Sequence, residues 1–138
     1  MAEPEKPTPI RLLILNPQIR RHLREILERN GFRPVILSPM NPAGSLKDCE
    51  QAVIFIDWEA EVQFGTALIR KIKTACRSGG IIFLYDREHR SLIREVMDLG
   101  VYGCILAPYD EWEVLTMIKH LLTKRQIKSS PDESLANH

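Results

Sequence analysis

The chain has 138 residues, 44% of them hydrophobic and 27% charged, which is enough for one ordinary domain with a core and a wet surface. Its formal net charge is +1, so charge alone gives no attraction to nucleic acid or to a membrane surface. Three cysteines (Cys49, Cys76, Cys104), odd in number and without CxxC spacing, suit reduced thiols of a cytoplasmic protein and exclude a disulfide framework.

In chain order, residues 1–9 hold three prolines and two glutamates and no apolar run of signal-peptide type. They read as a disordered leader. "RLLIL" (11–15) is a first strand. Asn16 then suits a helix N-cap, Pro17 the first helical position, and Ile19, Leu23, Ile26 and Leu27 one buried face, with Gly31 at the end. "RPVIL" (33–37) is a second strand. The stretch 38–51, "SPMNPAGSLKDCEQ", has two prolines and a glycine, and room for a short, irregular helix or none.

"AVIFID" (52–57) is a third strand, ending in a carboxylate. Leu68, Ile69, Ile72 and Cys76 make a helical stripe, followed by the strand "GIIFLY" (80–85). Leu92, Ile93, Val96 and Met97 make another stripe, closed by Gly100, and the strand "YGCIL" (102–106) follows. Asp110 and Glu113 resemble a capping box that opens a last helix, with Val114, Leu115, Ile118, Leu121 and Leu122 inward. Residues 124–138 are polar and aperiodic and read as a flexible tail or a linker to an output domain. The apolar runs are strand-sized, too short to span a membrane.

Near-continuous apolar strands alternating with amphipathic helices predict an α/β protein over residues 10–123. It is a doubly wound, five-stranded parallel sheet with helices on both faces and right-handed crossovers. Ligands of such sheets meet the carboxyl ends of the strands. That criterion selects Leu15, Asn16, Pro17, Asp57, Trp58, Glu59, Tyr85, Asp86, Ala107 and Pro108.

Asp57 after "VIFI", Gly65 eight residues on, and "DLGVYGCILAPYD" (98–110) together resemble the receiver domain of bacterial response regulators, with strand order 2-1-3-4-5. The resemblance implies a phosphoacceptor aspartate at Asp57, an acidic pair after the first strand that helps hold Mg²⁺, a Ser or Thr ending the fourth strand and a Lys ending the fifth. Only the acceptor is matched. Leu15 and Asn16, or Asn16 and Pro17, stand for the acidic pair, Tyr85 for the hydroxyl, Ala107 for the lysine, and Cys104 for the aromatic switch position. Pro108 is kept, and the resemblance implies a cis Ala107–Pro108 bond.

Mg²⁺ requires several hard oxygen ligands in near-octahedral array, and here only Glu59 and Asp86 remain as weak substitutes beside Asp57. A phosphorylated Asp57 would also lack its cationic partner. The expectation is therefore an atypical, or pseudo-, receiver with its phosphorylation switch dismantled. Asp57 is then held by loop amides or by Tyr85, with no cofactor and no enzymatic activity. Such a domain, part of a bacterial signalling or transcription regulator, would work by contact with a protein partner, an output domain or a second copy.

The expected contact face is 88–122, with Glu88, Arg90, Arg94, Tyr102, Tyr109, Trp112 and Lys119 as candidate positions. Trp58 could lid the pocket. Arg20, Arg21, Arg24 and Arg29 are interleaved with Glu25 and Glu28 and read as a solvated helix face, and His22, His89 and His120 share no metal-ligand spacing. Two alternatives remain. One is a working phosphoacceptor at Asp57 with Mg²⁺ held by Glu59 or Asp86. The other is a small-ligand sensor whose pocket is lined by Trp58, Tyr85 and Ala107.

Overall fold

A computed structural model describes residues 9–38 and 50–128, with side chains to Lys124. Five strands form one parallel sheet: β1 (Ile10–Leu13), β2 (Val35–Ile36), β3 (Val53–Asp57), β4 (Gly80–Tyr85) and β5 (Gly103–Leu106), in the order β2-β1-β3-β4-β5. The helices are α1 (Pro17–Arg29), α2 (Trp58–Phe64), α3 (Thr66–Ala75), α4 (Leu92–Asp98) and α5 (Glu111–Lys128), with a 3₁₀ turn at Arg87–His89. The expected doubly wound sheet and its strand order are both present.

Side chains of a strand alternate between faces, and this alternation divides the core in two. Leu13, Ile54, Ile56, Ile81 and Phe83 point to one side, against Ala60 of α2, Ile69 and Ile72 of α3 and Val96 of α4. Ile10, Leu12, Phe55, Ile82, Leu84 and Ile105 point to the other. They pack against Leu23, Ile26 and Leu27 of α1 and Val114, Ile118 and Leu121 of α5. β3 is buried over its whole length, as a central strand covered on both faces must be. β4 approaches α5 so closely at Gly80 that a Cβ there would overlap the Leu121 side chain.

The start of α1 follows the sequence closely. Asn16 Oδ1 accepts the N–H groups of Gln18 (2.9 Å) and Ile19 (3.1 Å), Pro17 opens the helix, and Gly31 follows it at φ 86°. Four features differ from the sequence reading. Residues 58–64, read as loop, form α2: Asp57 caps it, Glu59 and Glu61 complement its N-terminal dipole, and nothing in "WEAEVQF" breaks a helix. The second strand shrinks to two exposed residues at the sheet edge. Met97 is 44% exposed and not in the stripe's buried face.

The last difference is at the two ends of the domain. α5 continues to Lys128, so residues 124–128 are helical. Pro9 already belongs to the sheet, its carbonyl accepting Val53 N–H at 2.8 Å. Of the stretch 38–51 read as a short or absent helix, residues 39–49, Cys49 among them, lie outside the described residues, as do most of the expected leader and the rest of the tail.

Candidate functional site at the strand tips

β3 delivers Asp57 to the carboxyl edge of the sheet, between the tips of β1 and β4, paired in register with Leu84. Its side chain is fully buried. Both carboxylate oxygens are taken by main-chain amides. Leu15 N–H donates to Oδ1 (3.1 Å), Asn16 N–H to Oδ2 (3.0 Å) and Ala60 N–H to Oδ1 (3.1 Å). Asp57 therefore caps α2 and at the same time fastens the turn between β1 and α1. Burial raises its pKa above the ordinary aspartate value; the three amide bonds oppose that shift without cancelling it, and nearby Glu59 adds to it.

The neighbouring polar groups are also engaged. Asn16 Nδ2 donates to Glu59 Oε1 at 3.4 Å. Asp86 Oδ1 accepts His89 N–H (3.0 Å) and His89 Nδ1–H (2.6 Å), capping the 3₁₀ turn. The His89 ring stacks on Trp58 at 3.9 Å between centroids and 11° between planes. Trp58 thus pairs with a histidine whose position its sequence neighbours do not announce. Tyr85 stacks in parallel on Phe83 (6.4 Å) and packs into the α3–α4 side of the core, away from the Asp57 oxygens.

The Ala107–Pro108 bond is cis, as expected. Ala107 packs with the α1–α5 side, so it lies across the sheet from Trp58 and Tyr85. Tyr109 is 5% exposed and adopts φ 56°, and its carbonyl accepts His22 Nε2–H at 2.9 Å. Its hydroxyl is held strongly neutral by burial first, then by the carboxylates of Asp86 and Asp57.

No family model and no curated protein matches the chain. Solved structures do. An adenylate cyclase from Rhodopirellula baltica superposes with a TM-score of 0.75 at 17% identity, over 96% of this chain and 100% of that one. NtrX from Brucella abortus, in complex with ADP, gives 0.77 at 16% identity, over 90% of this chain and 28% of that one. The receiver domain of a sensor histidine kinase from Pseudomonas aeruginosa, with a magnesium ion coordinated in its active-site cleft, gives 0.73 at 17% identity, over 86% of this chain and 99% of that one.

The chain has the receiver-domain fold. Against a receiver's reactive positions, the first-strand acidic pair is replaced by Leu15 and Asn16, whose amides, not side chains, face Asp57. Pro17 lies beyond them, exposed at the first position of α1. The receiver's Mg²⁺ is not suited by what stands here: three of the Asp57 acceptor directions are spent on amides, and Glu59 and Asp86 are tied to Asn16 and His89. Among the described residues, no three His, Cys, Asp or Glu side chains come together in a metal-sized group.

On the expected contact face of this receiver fold, Glu88, Arg90, Arg94 and Lys119 are exposed and Trp112 is 74% exposed. Tyr102 is half-buried with Lys124 Nζ 5.4 Å from its ring centre. Tyr109 is a correction: its ring is inside the protein, beside the strand-tip carboxylates, and contributes nothing to that surface. Sequence reading also missed Ala60 and His89 as partners of the site. Only Ala60 left a signal: an Asp three residues before it, at the end of a strand, has N-cap spacing. Cys104 is half-buried on β5, and burial pushes its thiol up to about 11, so it stays protonated and unreactive at neutral pH. No helix among the described residues is long and apolar enough to cross a membrane.

Proposed function

We propose that this receiver-fold domain is a signalling module that works by protein contact, with Asp57 serving as a main-chain clamp and not as a phosphoacceptor. The observation that carries this reading is the complete burial of Asp57 with three amides on its two oxygens. Phosphorylation would require Asp57 to give up the cap of α2 and the tie to the β1–α1 turn before an oxygen could attack. It would also require a proton-favouring carboxyl to act as an anion, without a lysine at Ala107 to balance the phosphoryl charge. Each of these disfavours the reaction separately.

The contact surface in this reading is the 88–122 face, with Trp112 as its aromatic anchor and Arg90, Arg94, Glu88 and Lys119 as its charged rim. Its occupant is a protein: an output region, a separate partner or a second copy of the chain. NtrX supports the first possibility, because the matched region is 28% of that longer protein. The cytoplasm is the compartment that suits two free thiols, Cys76 and Cys104.

Beryllofluoride with Mg²⁺, a stand-in for the acyl phosphate, tests the assignment by amide NMR. The expected result is no localised change at Leu15, Asn16, Asp57 or Ala60. Mg²⁺-dependent shifts confined to those amides would establish the phosphoacceptor alternative instead.

A further inference from the structure

Glu61 lies on α2, one turn after the Asp57 cap. It is 3% exposed, and its Oε1 is the only buried side-chain oxygen or nitrogen without a hydrogen-bond partner among the described residues. An ionised carboxylate in that position would be largely desolvated, with its Oε1 unpaired. The charged group that acts on it is Glu95 of α4, of like sign.

The other elements packed on α2 do not neutralise it. β4 carries no charged residue. On β3, Asp57 is occupied by main-chain amides. On α3, Arg70, Lys71 and Lys73 are exposed, and Lys73 runs past Gly100, at the far end of α4. On α2 itself, Glu59 lies about 200° round the helix and bonds to Asn16. Glu95 itself lies on the exposed side of α4. A buried carboxyl oxygen without a partner, with only like charge acting on it, calls for a cation. Among the described residues, no three acidic, His or Cys side chains come together as a metal site. A proton is the cation that Glu61 can hold alone.

We propose that Glu61 is a proton-operated latch that sets how firmly α2 is held against the sheet and α3. The lever is short. Ala60, the residue before Glu61, donates its N–H to Asp57, and Glu61's own carbonyl accepts Gly65 N–H at 2.8 Å. When Glu61 holds a proton, α2 rests in the apolar wall as a neutral element. When Glu61 ionises, α2 is driven toward water and away from Glu95, and this slackens the cap on Asp57 and the strand-tip clamp with it. The device does not depend on whether Asp57 ever accepts phosphate.

Burial, reinforced by Glu95, places the Glu61 carboxyl at about 7, from an ordinary 4.5. Below pH 4.5 native and unfolded chains both hold the proton, and nothing is lost. Between 4.5 and 7 the unfolded chain ionises while the native chain does not, so stability falls as pH rises, and the loss is complete above 7. From this group alone the folding equilibrium constant drops about 300-fold across that window.

Side-chain carboxyl ¹³C NMR of the full chain, with amide shifts followed in the same titration, tests the latch. The expected result is a Glu61 midpoint near 7, shared by the amides of Ala60 on α2 and Val96 on α4. Glu95→Gln should lower that midpoint. Glu61→Gln should flatten the amide titration and remove the fall in urea midpoint from about pH 5 to 8. The proposal is overturned by a Glu61 midpoint near 4.5, by titration of Glu61 without movement of Val96, or by a midpoint unmoved in Glu95→Gln. Mg²⁺ or Mn²⁺ added at neutral pH and shifting the Glu61 side-chain carboxyl carbon would also overturn it, by assigning Glu61 to a metal. If Glu61→Gln does not fold, the Glu95→Gln arm alone decides.

Discussion

The residue on which most depends is Asp57, and its meaning is set by partners that lie 41 and 42 positions away in the chain. A buried carboxylate is tolerated when donors surround it, and three main-chain amides do so here. Asp57→Ala strips all three amides of their acceptor and should cost about 2–4 kcal/mol in urea unfolding. Asp57→Asn keeps one acceptor oxygen and should cost less than Asp57→Ala. Equal stability of the native chain and Asp57→Ala would show that the oxygens contribute nothing to the fold. Sequence alone identified Asp57 as the key residue and named loop amides among its possible partners. It also counted Tyr109 among the candidate positions of the contact face. The turn after the cis Ala107–Pro108 bond instead directs its ring toward Asp57 and Asp86.

At the scale of elements, the helices divide by how they are started. α1 is written in its own residues: the Asn16 cap, Pro17 at its first position, and an apolar face at helical spacing. Asn16→Ala should lower stability by about 1 kcal/mol, measured by thermal or urea unfolding, through loss of its two accepted amide bonds. α2 is a short helix whose cap is the very residue that reads as chemistry, which is why its seven residues passed for a loop. Gly65 ends it at φ 73°, ψ −171°, a backbone region that glycine alone adopts without strain. An added Cβ meets nothing within 4 Å there. Gly65→Ala should thus cost about 1–3 kcal/mol from the backbone alone, with the α2–α3 corner its site of change by amide NMR.

At the scale of the molecule, the sheet is held by two apolar layers, and the strand tips and the 88–122 face lie at opposite extremes of burial. The strand tips are closed by amide caps, the Asp86–His89 pair and the Trp58 stack. The 88–122 face is open, and its largest exposed group is Trp112. Trp112→Ala should leave the urea midpoint within about 0.5 kcal/mol of the native chain, since it removes no buried contact. A larger loss would move the ring from the contact surface into the fold.

The sequence by itself determined the class of fold, the number of strands and the start of α1. These follow from local chemistry: near-continuous apolar runs, period-3.6 burial, caps, and glycine or proline at element ends. The tertiary structure alone decided that Asp57 is occupied by amides, that His89 lies on Trp58, that Tyr109 faces inward, and that Glu61 is buried without a hydrogen bond for its Oε1. Each of these joins residues from different elements. A carboxylate's environment depends on which distant groups the folded chain brings against it, and no local pattern records that.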